Sequence, residues 1–306
     1  MTEPVLRLGG YQPETSVHTR ALRHMADLLA ESTARWNIDW HGDITREGHR
    51  AADLLPMVED GALELCYFAS SYLADRIPSL GVFDLPFVTR DRGVQQQKLD
   101  GRPGPRLAAD VAAQSGYRVL GFWDNGIRHI SNRLHPIRTP GDCRGMRLRV
   151  LDNAFHRKVF AALGFEPIVV DVKHLADAVT KGEVDAQENP LTNLVNFELH
   201  KVHRHVSLTA HFAGVALLLA NKTWFDGLAP EAQSAVTAAA RAATRAQREF
   251  AAAEDRRCLA VLHAAGVHVV PTAEIDIASF RAAVARLVDD EADRIGRELR
   301  SEFASA

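Results

Sequence analysis

Short apolar runs with strand-like character alternate with amphipathic helical segments, and this alternation constrains the fold most strongly. Val5 to Gly10 and Leu63 to Phe68 are two such runs, and apolar residues recur at helical spacing between Thr19 and Ser32. Strands that alternate with helices build parallel sheets covered by helices, and ligands of such sheets bind beyond the carboxyl ends of the strands. The predicted fold class is therefore α/β.

A second set of strand and helix units follows the first. Strands are expected at His129 to Asn132, Arg147 to Val150 and Pro167 to Val170, with a helix at Ala154 to Leu163. The Asp124-Asn125-Gly126 segment between the two sets is predicted to be a turn and a hinge, because Gly and Asn tolerate large backbone changes.

One long helix is expected near the carboxyl end. The stretch from Pro230 to about Ala265 is rich in Ala and Arg, begins with Pro-Glu, and contains no internal Gly or Pro. Roughly 35 helical residues would extend about 50 Å, more than one lobe covers, so we expect the helix to bridge two lobes. A terminal helix is predicted from Ile277 to about Phe303.

Charge and cysteine content exclude several classes of protein. The 306 residues carry 36 Lys and Arg against 39 Asp and Glu, a net charge of −3, which does not favour nucleic acid as a partner. The three cysteines show no CxxC spacing, and no run of 18 apolar residues predicts a membrane-spanning helix. Met1 to Leu8 lack the pattern of a leader, so the chain is either cytoplasmic or processed.

The sequence offers no signature of catalysis or of a cofactor. It lacks a GxSxG motif and a P-loop, and Gly9-Gly10 lacks the later glycines of a dinucleotide fingerprint. The histidines at 200, 203 and 205 are interpreted as a solvated, basic helix end rather than a metal site. Glu188 beside Asp185 is interpreted as a pair of helix-face charges. We expect no catalytic residue, no metal and no cofactor.

Arginines in strand contexts are the remaining candidates for chemistry. Alternation puts Arg147 and Arg149 on the same side of their strand, and a buried arginine needs an anionic partner. A guanidinium orients a carboxylate through two parallel hydrogen bonds, which suits an organic-acid ligand. The alternative is a structural pair with Asp171 or Asp185, and spacing alone leaves both interpretations open.

The chain resembles the solute-binding proteins of tripartite ATP-independent periplasmic (TRAP) transporters over essentially its whole length. The motifs that carry the resemblance occur in the order and spacing of that family. They are Leu80-Gly-Val-Phe-Asp-Leu-Pro-Phe87, Phe122-Trp-Asp-Asn-Gly-Ile-Arg128, Ile137-Arg-Thr-Pro140, Gly145-Met-Arg-Leu-Arg-Val150, Phe160-Ala-Ala-Leu-Gly164, Gly182-Glu-Val-Asp-Ala-Gln-Glu-Asn-Pro190 and the Thr209-Ala-His211 turn.

The resemblance implies roles for individual residues. In that family two α/β lobes close over an organic anion, which a membrane permease then takes up. Arg149 is implied to clamp the ligand carboxylate and Asn189 to hydrogen-bond the ligand. Arg128 or Arg133 would supply a second cationic contact, and the sequence leaves this choice open. The further expected ligand contacts are Glu14, His18, Ser70, Ser71, Trp123 and His211.

The resemblance also implies a two-lobed periplasmic-binding-protein fold in which each lobe is a mostly parallel sheet flanked by helices. Lobe I is expected to comprise residues 1–124 and 213–252, and lobe II residues 125–212 and 253–306. The ligand cleft would lie between them.

The expected function is binding of a small organic acid and its delivery to TRAP permease subunits in the periplasm, by a monomer that neither inserts into the membrane nor acts as an enzyme. Where many relatives have Pro-Phe-Ser-Glu-Val-Tyr, this chain has Asp171-Val-Lys-His-Leu-Ala176, which leaves sugar acids, hydroxy or keto acids and dicarboxylates all open. The alternatives are a cytoplasmic organic-acid sensor, or an enzyme that uses His211 or His129 as its base.

Overall fold

A computed structural model describes residues 4–32, 36–89 and 91–304 of the chain. These residues form two compact units. The first comprises the described residues of 1–69 together with Gly104–Asp124 and Val215–Ala253. The second comprises the described residues of 70–103, 125–214 and 254–306. Residues 70–103, assigned to lobe I in the sequence analysis, thus lie in the second unit. The lobe boundaries as ligand-binding halves stay a prediction.

The strands of the described chain are short except for two that pass from one unit into the other. They are β1 (Val5–Gly9), β2 (Asn37–His41), β3 (Leu65–Ala69), β4 (Tyr117–Asn132), β5 (Arg147–Val150), β6 (Glu166–Val169), β7 (Ala186–Pro190), β8 (His205–Asn221) and β9 (His268–Val270).

Helices connect these strands, and short 3₁₀ turns complete several of the connections. The helices are α1 (Val17–Ala30), α2 (Leu54–Glu59), α3 (Arg92–Asp100), α4 (Pro103–Gln114), α5 (Ala154–Ala162), α6 (Val172–Lys181), α7 (Leu191–Asn196), α8 (Lys222–Asp226), α9 (Pro230–Ala264), α10 (Ile277–Ile295) and α11 (Arg297–Phe303).

The first unit contains a sheet in the order β2-β1-β3-β8-β4. β1 pairs in parallel with β2 and β3, whereas β3 pairs antiparallel with β8. Helix α1 begins where Ser16 accepts a hydrogen bond from the Thr19 amide, and its buried face includes Leu22 and Met25. The fully buried strand β3 carries Tyr67 into the core of this unit.

The second unit contains the strands β4-β7-β5-β6, and β9 pairs with β8. β5 is parallel to both β6 and β7, and β4 is antiparallel to β7. Helix α6 is capped by Gly182, whose φ of 69° is a left-handed conformation that glycine adopts without strain. Helices α6 and α7 bury Leu175, Val179 and Leu194 in one apolar cluster. The α/β class and the mostly parallel pairing are confirmed.

The long helix is confirmed as a single element. α9 runs from Pro230 to Ala264 and contributes its residues to both units, because the division falls between Ala253 and Glu254. The terminal helix is divided at Gly296, where φ is 100°. No helix of the described chain is long and apolar enough to cross a bilayer.

Two predicted turns are wrong. Asp124, Asn125 and Gly126 lie inside β4, which continues because Gly126 adopts a φ of 78° without interrupting the strand. The Thr209–His211 segment likewise lies inside β8, where Ala210 has a φ of 46°. Gly126 and Ala210 therefore form local irregularities within two long strands and not turns between shorter ones.

The three cysteines are free and buried. Burial raises the pKa of the Cys258 thiol to about 12, so it behaves as an apolar side chain at neutral pH.

Candidate functional site

The candidate site is at one end of the sheet in the second unit. β5 and β7 run parallel, so their carboxyl ends at Val150 and Pro190 lie on the same side. β4 runs antiparallel to β7 and places Arg128 opposite Pro190. Arg149 lies opposite Gln187. The fold thus brings Arg149, Arg128 and Asn189 to the same end of the sheet.

Arg149 is a buried cation whose hydrogen-bonding capacity is only partly used. Its Nε donates to the Val170 carbonyl oxygen at 2.8 Å. Its Nη2 is buried and has no hydrogen-bond partner among the described residues. No carboxylate of those residues lies within ion-pair distance of the guanidinium, which contrasts with Arg128, Arg133 and Arg147. A buried donor without a partner is costly, so a ligand acceptor would complete the site.

Tyr72 lies beside this arginine. Burial raises the pKa of the Tyr72 hydroxyl, while the Arg149 charge and a hydrogen bond from it act in the opposite direction. The Arg128 charge acts on Tyr72 in the same sense. The Asp171 charge raises the pKa of Tyr72 further, so the phenol stays neutral at physiological pH beside Arg149.

Arg128 is held by Glu188 in a buried, two-pronged ion pair. Its Nε and Nη2 donate to the two carboxylate oxygens at 2.6 Å and 2.7 Å, and Nη2 also meets Asn189 Oδ1 at 3.2 Å. Burial alone would raise the pKa of Glu188, yet the Arg128 charge and a hydrogen bond from His211 hold it well below its usual range. Glu188 is fully buried and charged, so it compensates Arg128.

His211 extends the same network. Its Nε2 lies 3.1 Å from Glu188 Oε2 and its Nδ1 lies 2.7 Å from Thr209 Oγ1. Burial lowers the pKa of His211, which keeps the imidazole neutral at neutral pH. Both ring nitrogens are used within the protein, so His211 supports Glu188.

Asn189 is placed by a chain of polar side chains. Its Nδ2 donates to Gln187 Oε1 at 2.5 Å, and its Oδ1 also accepts from Asn193 Nδ2 at 3.0 Å. Gln187 Nε2 donates to Ser131 Oγ at 2.6 Å. One Nδ2 hydrogen of Asn189 remains for another acceptor.

Arg133 belongs to a different cluster. Asp185 accepts hydrogen bonds from both Arg133 and Arg147, and these bonds hold the pKa of Asp185 well below its usual range. Arg133 is about one-third exposed, whereas Arg128 is buried. The structure therefore brings Arg128, and not Arg133, into contact with Asn189.

Ser70 and Ser71 follow β3 and enter the second unit. Ser70 Oγ is buried without a hydrogen-bond partner among the described residues. Ser71 Oγ donates to Asp84, and His156 Nε2 lies 2.8 Å from the same carboxylate oxygen. Because serine and histidine share one acceptor, the histidine does not lie between Asp84 and the hydroxyl as a nucleophilic triad requires. Asn153 Nδ2 also donates to the Ser71 carbonyl oxygen at 2.8 Å.

Three of the expected ligand contacts lie in the first unit. His18 is buried and stacks on Tyr67, its Nδ1 lies 3.2 Å from Gln12 Oε1, and its Nε2 has no partner among the described residues. Trp123 is buried and its Nε1 donates to Thr244 Oγ1 at 3.0 Å. Glu14 is exposed and accepts a hydrogen bond from Trp40 Nε1 at 2.9 Å.

Partnerless buried polar atoms therefore coincide with three of the expected contacts, Arg149, Ser70 and His18. They also occur away from this set, for example at Trp36 Nε1 and Asn132 Nδ2. Lack of a partner alone is consequently not diagnostic. The combination with a buried, uncompensated charge distinguishes Arg149.

His203 and Glu188 do not lie on solvent-exposed helical surfaces, contrary to the predictions from the sequence. His203 is not a solvated helix end, because it is fully buried and its Nδ1 lies 3.1 Å from Ser131 Oγ. Glu188 is not a helix-face charge but lies on strand β7, and Asp185 precedes that strand. Among the described residues no group of three or more acidic, histidine or cysteine side chains could hold a metal ion.

Glu188, Asp84, His156 and Tyr72 are important polar residues that the sequence analysis did not assign to the site. Glu188 lies in a run whose five residues, Ala186–Pro190, are all buried. A charged residue in a strand of that kind, close to candidate arginines, was an available signal. Asp84 and His156 are 72 positions apart, and only the fold brings them together.

Arg149 is thus a buried cation with a donor that is unpartnered in the described chain, at the end of an α/β sheet where ligands of such sheets bind. Residues 8–294 match the model of DctP, the bacterial extracellular solute-binding proteins of family 7. The chain belongs to this family, whose members are binding proteins for transport and not enzymes. The predicted resemblance is confirmed.

Individual relatives are similar over nearly the whole chain. The 2,3-diketo-L-gulonate-binding periplasmic protein of Escherichia coli K12 is 29% identical over 286 residues, which cover 93% of this chain and 86% of that protein. The sugar acid binding protein of Advenella mimigardefordensis, solved in complex with galactonate, has a TM-score of 0.92 at 28% identity and covers 99% of this chain and 97% of its own. A TRAP periplasmic solute-binding protein of Roseobacter denitrificans with bound β-D-glucuronate has a TM-score of 0.92 at 28% identity, covering 98% of each chain.

Proposed function

We propose that this protein binds a hydroxylated monocarboxylate, a sugar acid or a related hydroxy acid, with Arg149 as the carboxylate anchor. The protein would deliver this acid in the periplasm to the permease subunits of a TRAP transporter. The observation that carries the proposal is the buried guanidinium of Arg149, whose Nη2 has no partner among the described residues.

The charge balance of the second unit favours one carboxylate over two. At the carboxyl end of β7, Glu188 compensates Arg128. Arg133 and Arg147 pair with Asp185, which precedes β7 and so lies at the beginning of that strand. Arg149 is left with an uncompensated charge, and one carboxylate neutralises it through charge-assisted hydrogen bonds. A second buried ligand carboxylate would need a further cation, since a buried charge without a partner is strongly unfavourable.

Neutral polar groups at the site suit hydroxyl groups of a ligand. Ser70 Oγ can donate or accept, and Asn189 retains one amide hydrogen. The Tyr72 hydroxyl lies next to Arg149. Sugar acids carry several hydroxyl groups beside one carboxylate, and the relatives solved with galactonate and β-D-glucuronate support this class for the present chain.

Arg128 is the more suitable second cationic contact. Its hydrogen bonds to Glu188 and Asn189 use Nε and Nη2, which leaves Nη1 for a ligand oxygen. Arg133 is committed to Asp185 instead. Glu14 and Trp123 have partners within the first unit, and their contact with a ligand stays a prediction.

A thermal-shift panel tests the proposal. It would compare galactonate, glucuronate and succinate, because the first two carry one carboxylate and the third carries two. A ligand at 100 times its Kd adds about 2.7 kcal/mol of apparent stability. We expect a sugar acid to stabilise the protein and succinate to have no effect, and stabilisation by succinate alone would contradict the monocarboxylate proposal.

Calorimetric titration of variants then tests the anchor. Arg149→Lys keeps the charge but loses the planar fork, so affinity should fall by about 1.5–3 kcal/mol, about one to two decades in Kd. Arg133→Lys is the matched control and should bind like the parent. Equal losses for the two variants would contradict the role of Arg149.

A further inference from the structure

We propose that the first unit carries a docking groove for an extended peptide segment with an acidic side chain. The groove is independent of the acid-binding site and lies between the beginning of β4 and the first turns of α9. Its volume is about 670 Å³, and its walls include Arg118, Leu120, Ser234, Thr237 and Arg241.

The β4 wall of the groove is a sheet edge. In the first unit β4 is hydrogen-bonded to β8 on one side. Its other neighbour, β7, pairs only with Arg128–Asn132, which lie in the second unit. Residues 117–124 therefore have no second strand beside them in the described chain. An edge of this kind presents N–H and C=O groups that can pair with another chain.

Farther along the same edge, α9 supplies a substitute for the missing strand. The side-chain amide of Gln247 accepts from the Asp124 N–H at 2.8 Å and donates to its C=O at 2.7 Å. Arg248 Nη2 donates to the Phe122 carbonyl oxygen at 3.1 Å. Gln247 is fully buried. An amide that pairs with both backbone groups of one residue reproduces the bonding of an adjacent strand.

The same edge lacks this substitute at its beginning. Alternation along a strand directs the N–H and C=O of Leu120 and Arg118 to the same side as those of Phe122 and Asp124. Of the α9 residues in the groove wall, Ser234 and Ala238 are short, and Gln233 Nε2 donates to the Phe225 carbonyl oxygen at 3.1 Å. Thr237 Oγ1 donates within its own helix to the Gln233 carbonyl oxygen at 2.8 Å. The backbone groups of Arg118 and Leu120 consequently face the groove.

The charge of the groove selects an acidic occupant. Arg118 pairs with Asp226 at 2.6 Å, but its Nε is buried without a partner among the described residues. Arg241 is exposed and forms no ion pair with a described residue. The walls therefore carry more positive than negative charge. A peptide satisfies alternating N–H and C=O groups, whereas a phosphate would meet the carbonyl oxygens unfavourably, so an acidic peptide segment fits best.

Amide hydrogen exchange on the full chain, read by NMR, tests the pairing. The probe is the peptide acetyl-Thr-Val-Glu-Val-Thr-amide. At ten times its Kd the peptide should slow exchange of the Leu120 amide about tenfold, whereas the Val119 amide, directed towards β8, should not change. A peptide N-methylated at the central residue should have no effect. Slow exchange of the Leu120 amide before any peptide is added, or no change on adding it, would overturn the proposal.

Charge reversal tests the acidic preference. Arg241→Glu should weaken binding of the glutamate peptide and strengthen binding of the same peptide with lysine at its centre. Arg245→Glu, one turn farther along α9 and outside the groove, is the matched control and should bind like the parent. Identical behaviour of the two variants would contradict the proposal. Sedimentation equilibrium that reveals dimers abolished by Arg241→Glu would identify a second copy of this chain as the occupant instead of a partner's segment.

Discussion

Replacing Arg149 with methionine should make the unliganded protein more stable. Arg149 is only 3% exposed, yet its Nη2 has no partner among the described residues and no described carboxylate compensates its charge. Its Nε donates to the Val170 carbonyl oxygen, and Tyr72 lies beside it. The folded state therefore holds a cation that pairs with no described carboxylate and that the proposed ligand would neutralise.

Opposing free energies set the size of the effect. Moving a cation out of water costs several kcal/mol even after relaxation. The hydrogen bond to the carbonyl oxygen returns about 1.5–3 kcal/mol, because its donor is charged. Methionine occupies the space of the arginine stem without a charge and adapts to irregular cavities. We expect Arg149→Met to raise the free energy of unfolding by about 1–3 kcal/mol.

Urea titration of the unliganded proteins measures this difference. Arg133→Met is the matched control and should be destabilised, because it breaks the ion pair with Asp185. The sugar acid that stabilises the parent should leave Arg149→Met unchanged. A loss of more than about 1 kcal/mol in unliganded Arg149→Met would refute the reasoning and make this arginine a structural residue.

The remaining predictions concern the interior of the second unit. Glu188→Gln should lower the free energy of unfolding by about 3–5 kcal/mol in urea titration, because it leaves the buried guanidinium of Arg128 without its charge partner. A loss below about 1 kcal/mol would contradict this prediction. Burial lowers the pKa of His203 from 6.5 to about 4, so the unfolded protein binds a proton at this residue before the folded protein does. Stability on the order of 3 kcal/mol should therefore be lost as pH falls from about 6.5 to 4. His203→Gln should flatten this part of the plot of unfolding free energy against pH, and an unchanged plot would contradict the lowered pKa of His203. Gly126→Ala should destabilise the protein more than Gly145→Ala in thermal melts. Both glycines have a positive φ, but only at Gly126 would an added Cβ lie 2.4 Å from Pro190 Cβ. Equal losses of stability would argue against this close approach.

Elements with strong local signals were predictable from the sequence. The long helix was expected from Pro230 to about Ala265 and runs from Pro230 to Ala264, because no glycine or proline interrupts it. The strand Arg147–Val150 was predicted with the same bounds, since its apolar and charged residues alternate.

Elements that depend on distant partners were not predictable in the same way. Strand β8, His205–Asn221, was missed because its alanines and leucines also suit a helix, and its pairing with β3 and β9 decides the outcome. The Asn-Gly pair at 125–126 is a common turn signal, but the chain continues as a strand there.

The arginines illustrate the same limit for the site. Spacing alone could not tell whether Arg149 or its neighbours pair with Asp185. In the fold Asp185 is taken by Arg147 and Arg133, and Glu188 by Arg128. Which arginine remains uncompensated depends on the strand register between β4, β5 and β7, a property of the tertiary structure.

A crystal structure of the protein with the sugar acid identified by the thermal-shift panel tests the central claim most directly. We expect a ligand carboxylate oxygen within about 2.7–2.9 Å of Arg149 Nη2, the ordinary length of a charge-assisted hydrogen bond. A well-ordered ligand whose carboxylate contacts Arg133 or Arg128 while Arg149 Nη2 still lacks a partner would contradict it.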